Sequence, residues 1–210
     1  MSQSTTRFWN WFEANSKSLA DIDNPSLEED EKEKILDELL DNLHAYCDKL
    51  YFNIGGEYGG QQELTITAEG KTDYFDAVEE LIKEAPELEG WSFIAFMQPG
   101  DLDYVCVFED VELKPSEMWF LPLDNKNKPK SIGLRICPPN YELVKDSDWL
   151  TAAVFKVLDT ALGEKTLALD ISYVDVKPMP DGKPEVNGLI ELTDLLAFVN
   201  WKKKKQLSCK

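Results

Sequence analysis

Two short apolar runs, an amphipathic stretch and a further apolar run follow one another twice along this chain, and that pattern limits its fold more than any other feature. In the first occurrence, Leu50 to Ile54 and Glu63 to Ala68 alternate as strands do, and the glycine-rich Gly55 to Gly60 between them reads as a hairpin loop. A helix is expected from about Thr72 to Ala85, with Phe75, Val78, Leu81 and Ile82 on one face and Pro86 and Gly90 ending it; Trp91 to Phe96 makes a third strand. In the second occurrence, strands at Met118 to Leu123 and Ile132 to Cys137 flank a turn-rich Asp124 to Lys130. A helix follows from about Ser147 to Leu162, then a strand from Leu167 to Val176. The order is ββαβ both times, so residues 50–97 and 117–176 form a candidate pseudo-repeat, although ββαβ order is common in α+β folds. Whether the two halves share one sheet is left open by the sequence.

The remaining segments frame these halves. Phe8, Trp9, Trp11 and Phe12 fall on one side of a short N-terminal helix. Asp21 to Pro25 reads as a turn, and a longer helix runs from Ser26, a candidate N-cap ahead of three acids, to about Lys49. Tyr104 to Phe108 is one more strand and Glu109 to Ser116 an acidic connection. A Pro- and Gly-rich loop, Lys177 to Gly188, leads to a last helix from about Ile190 to Lys203. The expected architecture is a single compact α+β domain over residues 1–210, with an antiparallel or mixed sheet, two N-terminal helices and a C-terminal helix packed on it.

Charge narrows the possible partners. Forty acids against 22 bases give a formal net charge of −18, which repels nucleic-acid backbones and suits a basic protein partner. Only Arg7 and Arg135 are arginines, so bidentate anion capture has few residues to draw on. One histidine, His44, and four scattered cysteines, Cys47, Cys106, Cys137 and Cys209, do not supply a zinc site. The same free thiols, the lack of an apolar export core in residues 1–17 and the lack of a membrane-length apolar run lead us to expect a soluble cytoplasmic protein.

No motif that carries chemistry is complete. Gly70-Lys71-Thr72 follows a strand and opens a helix, as a phosphate-binding loop does, but Thr65 stands where that signature needs its first glycine. Gly70 is read as a turn and Thr72 or Asp73 as the helix cap. Gly55 to Gly60 joins two strands, not a strand and a helix, so it is no dinucleotide fingerprint. Asp37, Asp41, His44 and Asp48 share one helical face; a solvated acidic face, with His44 paired to Asp41 or Asp48, is expected in preference to a metal site. Asp101 and Asp103, like Asp124 to Asn127, read as turns and not calcium loops. Cys137 has no base beside it in sequence and reads as a buried thiol.

Two candidate sites remain. Ile132, Leu134 and Ile136 share one strand face and leave Arg135 on the other; if the strand at 167–176 is its neighbour, Asp170 comes within reach, and Arg135 with Asp170 would form a ligand-binding or ion-paired sheet face extended by Asn53, Thr65 and Thr67. The aromatic face of Phe8, Trp9, Trp11 and Phe12 either docks on the body of the protein or binds a partner. No catalytic residue, metal ligand or cofactor is assigned, and the oligomeric state is left open. The leading expectation is a non-catalytic acidic binding protein for a basic partner; the alternative is a small-ligand binder or a carboxylate-based enzyme.

The run Glu63-Leu64-Thr65-Ile66-Thr67-Ala68-Glu69-Gly70, with Ala85-Pro86 and Trp91-Ser92-Phe93-Ile94-Ala95-Phe96 after the helix, resembles an uncharacterised bacterial α+β protein family over about residues 50–97. The resemblance implies a bacterial α+β fold and carries over no site residue.

Overall fold

The structure is a computed structural model that describes residues 3–56, 60–124 and 131–208. The chain divides into two compact units, residues 1–97 and 98–210. Residues 57–59 of the expected glycine-rich hairpin, residues 125–130 of the second turn, and Cys209 lie outside the described residues.

The first unit is built from α1 (Gln3–Ala20), α2 (Glu29–Tyr46), β1 (Tyr51–Gly56), β2 (Gln62–Thr67), α3 (Phe75–Lys83) and β3 (Trp91–Ala95). Its sheet runs β1-β2-β3, with β1 and β2 antiparallel and β2 and β3 parallel across the α3 crossover. Strand alternation sorts the two faces. Leu64 and Ile66 are fully buried on one, while Asn53 pairs with Thr65 on the other. Onto the apolar face comes α1: Trp9 meets Phe93 edge-on at 4.6 Å, and Phe12 meets Trp91 and Phe93 at 4.9 and 5.3 Å. Such edge-to-face contacts suit the ring quadrupoles, and each fully buried ring contributes roughly 1.5–3 kcal/mol through area alone. The indole Nε1 of Trp9 donates to the Leu81 carbonyl at 2.9 Å, which ties α1 to α3 and satisfies the ring's one polar atom.

Local details of this unit differ from expectation where capping was inferred. The α2 helix begins at Glu29, not Ser26, and its N-cap Glu28 makes no side-chain capping bond. Ser26 instead donates its N–H to Asn24 Oδ1, closing a turn before the helix. Gly70 turns the chain at φ 75° as expected, but Thr72–Tyr74 form a single 3-10 turn without a side-chain cap.

The second unit contains β4 (Cys106–Phe108), β5 (Val111–Leu113), β6 (Trp119–Leu123), β7 (Ile132–Cys137), α4 (Tyr141–Val144), α5 (Leu150–Leu162), α6 (Glu164–Asp170), β8 (Ile171–Val176), β9 (Ile190–Glu191) and α7 (Leu195–Ser208). Strand β4 falls within the strand expected at Tyr104 to Phe108, and β5 pairs with it as a hairpin where an acidic connection was expected. The main sheet runs β8-β7-β6-β9; β7 is antiparallel to β6 and parallel to β8, the same neighbours and senses as β1-β2-β3. Its core is mainly aliphatic where the sheet meets α5, at Leu134, Ile136, Ala153, Val154, Val157 and Leu158, and it includes one fully buried ring, Phe120, which packs on Phe198. Gly163, at φ 73°, ends α5 and lets the chain start α6 at once, a backbone turn that a side chain would strain. Residues 167–170 are therefore helix, and the closing strand starts only at Ile171. The α+β class, the mixed sheets and the terminal helices agree with the sequence reading.

Candidate functional site

Arg135 lies on β7 with its side chain on the face away from the aliphatic core, as alternation predicts. Its carboxylate partner is Asp175, not Asp170. The guanidinium Nε donates to Asp175 Oδ2 at 3.1 Å and Nη2 lies 3.0 Å from the same oxygen. Asp170 is the last residue of α6 and pairs with Lys203 on α7 at 2.7 Å. The expected Arg135–Asp170 pair is thus corrected: Asp170 lies in a helix that ends before β8 begins, and a one-residue bulge brings Asp175 to the face of Arg135 instead. Ile132 pairs with Ile171 but Gly133 pairs with Tyr173, so Ser172 is left over. Past the bulge the faces swap: Ile171, Val174 and Val176 pack on the core, whereas Tyr173 is exposed and Asp175 stands opposite Arg135. Asn53, Thr65 and Thr67 belong to the first unit's sheet, which does not contain Arg135.

A second cation, Lys177, sits 3.7 Å from Asp175 Oδ1. Together with Arg135 it lines a cleft of about 430 Å³, whose apolar lining is Leu121, Leu189, Pro178 and Pro180, with Cys137 and Asn187 completing it. The loop that supplies half of this lining is tied down: Asn187 Nδ2 donates to the carbonyls of Asp181 and Lys183, each at 3.1 Å, and the Leu189 N–H donates to Pro184. Cys137 is buried, and burial pushes its thiol above the ordinary range; the Arg135 charge opposes that and Asp175 adds to it. It is a buried thiol, as the sequence reading expected.

The chain's other arginine, Arg7, lines a larger cleft of about 840 Å³ between α1 and α2, with Asn10, Asn42 and Tyr46. Tyr46 donates its hydroxyl to the Ala77 carbonyl at 3.0 Å, and its pKa is pushed up to about 12, first by burial and then by Glu80, Cys47 and Glu84.

The other sequence candidates find structural roles. Phe8, Trp9 and Phe12 are buried in the first unit's core and Trp11 is half-buried, so the aromatic face is closed by its own sheet, which corrects its reading as a partner site. His44 shares a hydrogen bond with the Leu50 carbonyl at 3.1 Å and not with Asp41 or Asp48. Lys71 of the phosphate-loop-like triplet pairs with Glu69 at 3.0 Å and covers the Tyr51 ring. Asp101 accepts from the Asp103 N–H, a turn as expected. Asp159, with its pKa raised by burial and by Glu164, lines neither arginine cleft. Among the described residues no group of three or more His, Cys, Asp or Glu side chains could hold a metal ion, and no helix is long and apolar enough to cross a membrane.

Asp175, Lys177, Asn187 and Leu189 are the site residues that sequence reasoning missed. Asp175 was hidden by the bulge, and the other three by a loop without periodicity. A signal did exist: Val174-Asp175-Val176 alternates in register with Leu134-Arg135-Ile136. Comparison with known proteins finds no matching family model, no matching curated protein and no matching solved structure.

Proposed function

We propose that this chain is a non-catalytic binding protein whose residues 1–97 engage a basic protein partner. The observation that carries the reading is the concentration of charge: residues 1–97 hold 22 acids against 7 bases, a net −15, while residues 98–210 hold 18 against 15, a net −3. On α2 the side chains of Glu29, Asp30, Glu31, Glu33, Asp37, Glu38 and Asp41 are all exposed, opposed on that helix only by Lys32, which pairs with Glu29, and Lys34. A field of one sign steers an oppositely charged surface into encounter and repels phosphate backbones. The free thiols Cys47, Cys106 and Cys137 suit a reducing compartment, and we assign the cytoplasm on that ground.

The test is capture by the tagged full chain from native lysate at low and moderate salt, alongside a variant in which Asp30, Glu33, Asp37 and Asp41 become Asn or Gln. The expected result is one basic protein, held by the native chain, lost as salt rises, and bound at least about tenfold less by the variant. Capture that ignores both the salt and the four substitutions would overturn the reading.

A further inference from the structure

We propose that the Arg135 cleft of the second unit binds a small organic monocarboxylate with an apolar body. This site is separate from the acidic helix of the first unit and its test does not depend on that reading. The charge balance is the starting point. Arg135 and Lys177 face a single carboxylate, Asp175, so the cleft keeps one positive charge in a chain whose total is −18. Asp175 engages only one edge of the guanidinium, through Nε and Nη2, and Nη1 has no partner among the described residues. The Arg135 side chain is 39% exposed and that of Lys177 is 52% exposed, so both can reach a ligand.

Shape and donor type select the class. A planar guanidinium fork matches a carboxylate, and the paired lysine adds a mobile second donor. One excess positive charge offsets a monoanion but not a phosphate dianion. Phosphate sites also draw on clustered backbone N–H groups, and Pro178 and Pro180 have none to offer. Leu121, Leu189 and the two prolines provide an apolar lining for a hydrocarbon body, and about 430 Å³ lies within the range of small-molecule pockets. Because Asn187 holds the loop by two hydrogen bonds, little ordering entropy opposes binding. Binding of a carboxylate by this ion pair and lining is reversible, and no bond to the protein forms.

The experiment is titration of the full chain with octanoate, octanamide and inorganic phosphate, followed by heteronuclear NMR and calorimetry. Octanoate is expected to shift the Leu121 and Leu189 methyl signals and the Arg135 side-chain N–H signals. Octanamide and phosphate should bind at least about tenfold more weakly, because each lacks one half of the recognition. Arg135→Gln and, separately, Lys177→Gln should each weaken octanoate by about tenfold or more with the thermal midpoint monitored; Lys177 is on the surface and its variant keeps the test valid should Arg135→Gln disturb the sheet. The proposal is overturned by octanamide binding as well as octanoate, by phosphate binding better, by shifts centred on the Arg7 cleft, by octanoate affinity that ignores Lys177→Gln, or by no saturable binding up to about 10 mM.

Discussion

Residues 1–97 and 98–210 carry the same ββαβ order with the same strand neighbours and senses, yet they fill it with different chemistry. The first unit closes its sheet with rings from α1 and leaves an acidic surface. The second closes its sheet with the aliphatic face of α5 and is nearly balanced in charge, with a cationic cleft on the far side of β7. Strand order therefore constrains neither the core chemistry nor the surface. Alternation needs only that one face be apolar, and rings and branched aliphatics both meet that need. The surface is free to specialise: the first unit is strongly acidic at a net −15, and the second is nearly balanced at −3 with a local cationic cleft.

The contrast in cores is the easiest part to break. Phe12 is fully buried and touches Trp9, Trp91 and Phe93, so Phe12→Ala opens a cavity lined by rings that cannot collapse into it. A loss of about 3–5 kcal/mol is expected in urea denaturation. A loss under about 1 kcal/mol would mean that the aromatic cluster is not the core of its unit.

Strand parity supplies the next test. Thr65 lies between the fully buried Leu64 and Ile66 in a β2 strand without irregularity. Deleting it makes those two neighbours, so one must face away from the core, at about 2–5 kcal/mol. In β8 the extra Ser172 is already unpaired, and Ile171, Tyr173, Val174 and Asp175 alternate correctly without it. Its deletion should cost about 1 kcal/mol, the hydrogen bond from Ser172 Oγ to the Ile132 carbonyl, and should keep the Arg135–Asp175 pair. Equal damage from the two deletions, measured by denaturation midpoint, would show that the bulge is no spare residue.

These two strands also show what the sequence could reveal. Ile132–Cys137 is a strand at the expected residues because its apolar positions alternate and flanking turn residues bound it. Helical spacing places Trp149, Leu150, Ala153, Val154, Val157, Leu158, Ala161 and Leu162 on one side, and all but Trp149, which is exposed at the N-cap, are buried. The start of β8 was not legible, since Leu167, Leu169 and Ile171 alternate across a boundary where helix α6 becomes strand without a Gly or Pro to mark it. The cleft was legible by one residue only. Arg135 could be placed on the outer face, but Asp175 required the bulge, and Leu189 and Asn187 required the path of a Pro-rich loop that has no repeat to read.

Burial and neighbouring acids hold a tyrosine proton in each unit, and the shift is large at Tyr46 of the first. Tyr46 keeps its proton to about pH 12, because burial and then Glu80, Cys47 and Glu84 disfavour the phenolate, whereas an unfolded chain releases it near 10. Between those values the unfolded state loses a proton that the folded state retains, so stability is full below pH 10 and falls as pH rises toward 12. Tyr46→Phe should cost about 1 kcal/mol at neutral pH, through the lost bond to the Ala77 carbonyl, and should reduce the alkaline decline. Denaturation curves at pH 8, 10 and 11 separate the two effects; an undiminished decline would place its origin elsewhere.

The smallest effect contrasts two residues in the same uncommon backbone conformation. Phe96 in the first unit has φ 65° and Glu109 in the second has φ 53°, both in the region that favours glycine. Phe96 is buried and packs on Phe75 at 4.6 Å, so glycine there would relieve strain but remove a ring from the core. Glu109 lies in the two-residue turn between Phe108 and Val111 and its side chain is exposed. Removing its Cβ relieves about 1–2 kcal/mol of left-handed strain against about 0.5–1 kcal/mol of added chain entropy, so Glu109→Gly should stabilise by about 0.5 kcal/mol. The same change at Phe96 should destabilise, because a buried ring outweighs either backbone effect. Thermal midpoints that moved in one direction for both would mean that backbone strain, and not the packing that distinguishes the two units, sets the response at these sites.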